Sequence, residues 1–312
     1  MNVPIHQKII TANIPWEQNH LEVPVYLIKG GFNVLVDAGP PQRDPGVLSS
    51  VFGSFAVSTS DIGLVLLTHD HLDHVGGIPE LTAAGRPQVF IHRDDAFFLS
   101  HHGQAFDEFY GLGRKLLASK DQMEEEKAGF LAAMGPETVP DRLLADGDVI
   151  DAGDGVELRV VALPGHSKGS VGYYWEKEAI LIAGDSIPAL GGPGGSLPII
   201  VDLGEYERSI DRLSQMDLGT LVFTHQYRGI RLQPATVRRG GEIREYLRDA
   251  KEATKRLKAA LQQISAGRDD ETFAEKVDRV IAAMPGEMGF VPLAKQASPH
   301  FSALTVYCGL KG

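Results

Sequence analysis

Between Leu67 and Gly77 the chain reads LTHDHLDHVGG, which places three histidines and two aspartates within positions 69–74. The apolar run IGLVLL precedes this stretch and two glycines follow it. Where a buried strand ends, the backbone turns, and side chains of a short loop can converge on one point instead of alternating between faces. His69, His71, Asp73 and His74 sit where such convergence is available. Imidazole nitrogens and carboxylate oxygens are the donors that borderline divalent ions such as zinc accept, and a centre with spare coordination positions keeps room for water. Histidine is scarce in this chain, 11 of 312 residues, so three in one turn argue against a chance surface cluster. Three later segments repeat the design of a buried strand ending in a ligand type. LPGHSKGS places His166 after VELRVVAL, ILIAGDS places Asp185 after AILIA, and LVFTHQ places His225 after TLVF. With Cys308 the only cysteine, neither an internal disulfide nor a thiolate cluster is available.

The elements that must position these residues are legible as short apolar segments separated by Gly, Pro or Asp. They are VPVYLI (23–28), FNVLVDAG (32–39), IGLVLL (62–67), QVFIH (88–92), VELRVVAL (156–163), SVGYYW (170–175), AILIAGD (179–185) and TLVF (220–223), and they read as strands of a sandwich-like core. Gly76 and Gly77 suit a turn or helix that must approach closely without a side chain. Tyr206, Ile210 and Leu213 repeat at helical spacing, with Asp202 as the expected cap. Between His92 and Val139 the strand signal gives way to a helical insertion, at about 93–139, rich in apolar residues such as Phe97, Phe98, Phe106, Phe109, Tyr110, Phe130 and Met134. It reads either as packing against the core or as a roof over an apolar acyl pocket. His101 and His102 in it read first as exposed polar residues and second as groups reaching substrate. After Arg231, strands are expected to yield to helix. Ile243, Leu247, Ala250, Thr254, Leu257, Leu261 and Ile264 form one apolar stripe, read as packing on the main domain or as a homodimer seam. A second helix is expected from Thr272, which has capping-box spacing to Glu275, and Pro285 with Gly286 stops it. His300 and Cys308 read as structural, Cys308 as buried. The resulting division is 1–231 as the catalytic domain and 232–312 as a helical C-terminal extension packed on it.

Composition narrows the function classes. The chain is 43% hydrophobic and 23% charged, ordinary for a globular protein, and its formal net charge of −11 argues against generic nucleic-acid binding. The N-terminal segment MNVPIHQKIITANIPWEQNH has neither the apolar core of a signal peptide nor a membrane span, so a cytoplasmic location and no membrane partner are expected. Charge is uneven, however: Val237 to Arg268 holds nine Lys and Arg against four Asp and Glu. Arg238, Arg239, Arg244, Arg248, Lys251, Lys255, Arg256 and Lys258 read first as a solvated helix surface. The second reading is an attractor for an anionic substrate carrier such as coenzyme A, an acyl-carrier protein or glutathione.

H-x-H-x-D-H followed by a later His, Asp and His resembles the metallo-β-lactamase-fold hydrolases over roughly residues 20–230. The resemblance implies an α/β fold, an αββα sandwich with two metals at one edge. It implies that His69, His71 and His166 hold the first metal, that Asp73, His74 and His225 hold the second, and that Asp185 bridges them. His225 departs from the family's glycine-flanked pattern, because the chain reads Thr224-His225-Gln226. The implied cofactors are two divalent ions, zinc first, with iron or manganese accepted by the same donors. The implied chemistry is hydrolysis of a carbonyl ester, thioester or lactone by a metal-bridging hydroxide, with Asp73 orienting it and shuttling its proton. Tyr227, two residues after His225, reads first as a packed or surface phenol and second as a catalytic donor to a developing oxyanion. One large group of lactamases has cysteine at Asp185, and diiron reductases of the fold carry Glu at His71, so the resemblance points to the glyoxalase, lactonase and acyl-thioesterase-like branch. A small-molecule acyl substrate is the expected partner. The competing readings are a phosphodiesterase, a mononuclear iron sulfur dioxygenase and a regulatory, partner-binding member of the family.

Overall fold

A computed structural model of the chain describes residues 5–16, 21–117, 120–264 and 271–311. Two six-stranded sheets face each other. The first holds β1 (Ile9–Trp16), β2 (Leu21–Lys29), β3 (Asn33–Val36), β4 (Ile62–Leu66), β5 (Gln88–His92) and β6 (Arg142–Leu144), neighbours in that order. The second holds β7 (Val149–Asp151), β8 (Glu157–Ala162), β9 (Val171–Trp175), β10 (Ile180–Ile182), β11 (Thr220–Tyr227) and β12 (Ala235–Arg239), again in order. The core explains why the central strands read as unbroken apolar runs: both faces are buried. Tyr26, Ile28, Val34, Val36, Leu64 and Leu66 point inward and meet Val160, Tyr173, Ile182 and Val222 of the opposite sheet. Val25, Leu27, Leu35 and Val65 point outward under α1 (Val47–Gly53) and α3 (Ile78–Ala84), which contribute Leu48, Phe52, Ile78 and Leu81. Between these two in the chain, the single-turn α2 (Leu72–Val75) carries Asp73 and His74. On the other side Leu181, Leu221 and Phe223 meet Tyr206, Ile210 and Leu213 of α8 (Leu203–Ser214) and Ile243 and Leu247 of α9 (Gly241–Ile264). The expected αββα sandwich is the architecture observed.

Four strands escaped the sequence reading. β1 is an edge strand with Asn13 and Pro15 interrupting its apolar pattern, β6 and β7 span three residues each, and β12 ends in two arginines. β12 also corrects the expected change of character at Arg231. It pairs antiparallel with β11, so the second sheet continues to Arg239 before the long helix begins at Gly241. Arg238 is accordingly no helix-surface cation: it is buried, it lies over the Tyr246 ring at 5.4 Å, and it donates to the Tyr227 carbonyl at 2.9 Å.

The insertion is helical, built of α4 (Ala96–Leu99), α5 (His102–Ala105), a π-turn at Phe106–Tyr110, α6 (Gly111–Lys115) and α7 (Lys120–Met134). His101 is exposed and stacks on Phe97, whereas His102 is buried, contrary to the expectation of two exposed histidines. In the C-terminal region every residue of the α9 stripe is buried within the chain, covered by α8, α10 (Phe273–Ala283) and α11 (Pro299–Lys311). Thr272 and Glu275 form the expected capping box, and the Asp202 carboxylate caps α8 through the Gly204 and Glu205 amides at 2.8 Å. Cys308 is half-buried, more open than expected. The basic face of α9 is largely ion-paired: Arg256 with Glu252, Lys251 with Asp211, Lys258 with Glu207 and Arg248 with Glu245. Arg268 of that stretch lies outside the described residues. Among the described residues no helix is long and apolar enough to cross a membrane.

Candidate metal centre

Strand direction brings the ligand types to one edge. β3 and β4 are parallel, so Asp37 and His69 follow their strands on the same side. β8 and β10 both run antiparallel to β9 and so share a direction, and β10 and β11 are parallel. His166 and Asp185, which follow β8 and β10, and His225, near the end of β11, therefore gather at the same edge of the second sheet. Gly77 lets the histidine turn close on the loop after β3, because a Cβ there would lie 2.1 Å from the Ala38 carbonyl oxygen. All seven residues expected to hold metal come together. Donor atoms of His69, His71 and His166 lie within 4.8 Å of one another, as do those of Asp73, His74 and His225 and those of His69, His74 and Asp185. Asp185 Oδ2 is central, 3.4 Å from Nε2 of both His74 and His225 and 3.9 Å from His166 Nε2. Asp73 Oδ2 sits 2.8 Å from His225 Nε2.

The surrounding hydrogen bonds aim the imidazoles. Asp37, with φ of 61° in the left-handed region, accepts from the Thr68 amide at 2.8 Å and from the Thr68 hydroxyl, and it takes the Nδ1 proton of His74 at 2.9 Å. The Thr68 hydroxyl, its proton committed to Asp37, accepts from His69 Nδ1 at 3.0 Å. His166 Nδ1 donates to the Ile199 carbonyl at 2.9 Å. In each case Nε2 is the free lone pair, turned into the cluster. His69 Nε2, His74 Nε2 and Asp185 Oδ1 are all buried without a hydrogen-bond partner, and His71 Nδ1 and His166 Nε2 face each other at 3.0 Å. Buried lone pairs left unsatisfied are costly, and a shared cation is what this donor set fits. Five imidazoles, two carboxylates and no thiolate suit a borderline divalent ion.

Electrostatics separate the groups. Burial and the neighbouring imidazoles push His69 and His71 well below the ordinary histidine value, and burial also lowers His166. For His74 burial acts downward, but the carboxylates of Asp37, Asp185 and Asp73 outweigh it and raise the pKa. Burial opposes ionisation of Asp73 too, yet His74 and His225 hold its pKa at about 2, and the same imidazoles keep Asp185 ionised. Tyr227 is buried beside Asp185, and burial together with that charge raises its pKa, so it stays a protonated donor.

Asp37 and Asp95 were missed in the sequence, and Phe109 and Tyr110 were read only as apolar residues of the insertion, packed on the core or roofing a pocket. Asp37 ends an apolar strand in the same way as Asp185, and that signal was present in LVDAG. Asp95 is buried and accepts from the Ser167 hydroxyl and the Gly169 amide, both at 2.6 Å, so it ties down the loop that carries His166. The π-turn supplies Phe109, stacked on the His71 ring at 4.3 Å, and Tyr110, whose hydroxyl accepts from the Leu72 amide. Nothing local in the sequence marked these contacts.

A family model described as the metallo-beta-lactamase superfamily matches residues 20–225. The probable metallo-hydrolase YqjP of Bacillus subtilis (strain 168) is 29% identical over 241 residues, 70% of either chain. A hydroxyacylglutathione hydrolase of Bdellovibrio bacteriovorus is 28% identical over 185 residues, 59% of this chain and 57% of that one. Among solved structures, the metallo-beta-lactamase family protein TTHA1429 from Thermus thermophilus superposes with a TM-score of 0.73 at 22% identity, covering 99% of this chain and 93% of the other. That likeness speaks to the fold, which it shares almost from end to end. With the family model spanning well over half the chain and the sandwich, the histidine turn and the later His, Asp and His all in place, the chain belongs to the metallo-beta-lactamase superfamily.

Proposed function

We propose that this chain is a dinuclear metal-dependent hydrolase that cleaves acyl thioesters, within the wider class of ester, thioester and lactone hydrolases. The observation that carries the proposal is the convergence of His69, His71, Asp73, His74, His166, Asp185 and His225 with unpartnered buried donor atoms. His69, His71 and His166 would hold one ion and Asp73, His74 and His225 the other, with Asp185 between them. Bound divalent ions lower the pKa of a water towards about 7 and polarise a carbonyl oxygen, which is the chemistry hydrolysis of an acyl bond needs.

The protein's own groups do the rest. Asp73 stays ionised and faces the open side of the cluster with His225, the more exposed pair of the seven. Its free carboxylate oxygen orients the attacking water by accepting a hydrogen bond from it. Tyr227, kept protonated and hydrogen-bonded to Asp185, would turn its hydroxyl to the oxygen that gains charge as the carbonyl is attacked. Phe109, half-buried against His71, offers an apolar wall to the acyl group. The thioester preference is supported by relatives named hydroxyacylglutathione hydrolase and, from Gallus gallus over 124 residues, acyl-coenzyme A thioesterase.

Two measurements test the proposal. Elemental analysis should give about two divalent ions per wild-type chain and about one in His225→Ala. With the metal loading fixed, an S-acyl glutathione or acyl-coenzyme A should turn over faster than bis(p-nitrophenyl) phosphate, and Asp73→Asn should lose on the order of 100-fold or more in kcat. Preferential turnover of the phosphodiester, or full activity after complete metal removal, would overturn the assignment.

A further inference from the structure

The C-terminal helix lies far from the ligands in sequence, yet it holds the segment that aims one of them. Residues 194–200 have no regular secondary structure. Ile199 in this segment offers its carbonyl to His166 Nδ1 at 2.9 Å. On either side of Ile199 the backbone is fastened by a single hydroxyl of α11. Thr305 Oγ1 donates to the Pro198 carbonyl at 2.6 Å and accepts from the Ile200 amide at 3.1 Å. One turn earlier, Ser302 Oγ accepts from the Leu197 amide at 2.8 Å and donates to Gln296 Oε1 at 2.8 Å. Two further backbone bonds, Val291 N–H to Gly195 O and Ala297 N–H to Gly194 O, stitch the same segment to the residues before α11.

A helical threonine ordinarily returns its hydroxyl proton to the carbonyl one turn back, as Thr254 does to Ala250 at 2.9 Å. Thr305 instead reaches out of its helix and straddles the residue that holds His166. Ser302 and Thr305 are both fully buried, so water cannot replace either bond. Just past the segment the Val201 and Asp202 amides donate to the Gly165 carbonyl at 2.7 and 3.2 Å, so the strip that holds His166 runs between the C-terminal helix and the loop that carries His166 itself.

We infer that Thr305 is a positioning residue for the metal centre: through Pro198 and Ile200 it fixes the Ile199 carbonyl, and through that carbonyl the tautomer and direction of His166. The inference rests on the reading that His69, His71 and His166 hold a metal. It makes the C-terminal helix part of the site's machinery, with Ser302 as its support.

The test uses full-length protein stripped of metal and titrated with Co(II), whose visible absorption reports ligand geometry independently of turnover. Groups that orient a metal-bound histidine typically change affinity 10- to 100-fold. Thr305→Val, which keeps the shape and removes the hydroxyl, should weaken binding of the first cobalt equivalent by about 10-fold and alter its visible spectrum. Thr305→Ser, which keeps the oxygen, should bind within about twofold of wild type and restore the spectrum. Should Thr305→Val fail to fold, Ser302→Ala carries the test, with an expected loss of about threefold. Cobalt affinity and spectrum unchanged in a folded Thr305→Val or in Ser302→Ala would overturn the inference even if thermal stability fell, because the helix would then be packing alone. A wild type that takes up no cobalt would instead fail the metal reading itself, and this inference with it.

Discussion

Asp37 shows what a residue outside the ligand set contributes. It carries its backbone in the left-handed region and spends its carboxylate on the Thr68 amide, the Thr68 hydroxyl and His74. Strain of this kind persists where the surroundings over-determine it, and here they tie the β3 and β4 ends together beneath two imidazoles. Asp37→Ala should therefore weaken metal binding by about 10- to 100-fold, because His74 loses its proton acceptor and Thr68 its anchor. Competition with a chelator of known affinity measures this, and unchanged affinity would leave Asp37 with a folding role alone. The candidate ligands were legible as residue types at or near strand ends. The tautomer of each was not, because it depends on partners such as Ile199 and Asp37 that lie 33 and 37 positions from the histidines they serve.

Elements supply the next layer of control. The π-turn of the insertion puts Phe109 on His71 and Tyr110 on the Leu72 amide, so the insertion touches the histidine turn through two adjacent residues. π-turns recur at functional sites because they re-aim one side chain within a helix. The insertion also packs on the C-terminal helix, where Gly113 approaches so closely that a Cβ would lie 2.4 Å from the His300 carbonyl. His300 itself is pushed down to about 4 by burial and by the nearby Arg114 charge. The unfolded chain takes up that proton near pH 6.5 and the folded chain only near pH 4, so stability from this element falls as the pH drops between those values. In metal-free protein His300→Leu should escape this loss. Its stability relative to wild type should rise by on the order of 2 kcal/mol between pH 7 and pH 4, measured by urea unfolding at each pH. A pH-independent difference would show that His300 is not the titrating group. The helices of this region were readable from spacing and caps, as Thr272 and the α9 stripe show, whereas β12 was hidden by its arginines. Arg238 reads as a surface cation in any local window, and only the strand pairing that buries it over Tyr246 reveals its place.

At the scale of the whole molecule the candidate metal centre is a joint between two sheets. Histidines and aspartates from both sheets meet there, so ions bound at this edge hold only the folded chain. Binding that favours the native state by about 4 kcal/mol, at free metal near a thousandfold above the dissociation constant, should raise Tm by on the order of 10 °C. Calorimetry with and without chelator checks this, and coincident transitions would mean the cluster holds no tight ion. The same scale separates what each kind of information decided. The sequence by itself determined the candidate ligand types and the apolar strands that lead to them, because hydrophobic period and residue chemistry are local properties, but not β1, β6, β7 or β12. It also determined the helical character of the insertion and of the C-terminal region. Tertiary structure alone decided which nitrogen each histidine presents, that Asp37, Asp95 and Tyr110 brace the ligand loops, and that the α9 stripe is buried inside its own chain. It alone placed Thr305 against the segment that aims His166. The physical reason is distance along the chain: hydrogen bonds that span from 37 residues, at Asp37 and His74, to 107, at Thr305 and Pro198, leave no trace in the local pattern, since a threonine in a helix looks the same whichever carbonyl its hydroxyl reaches.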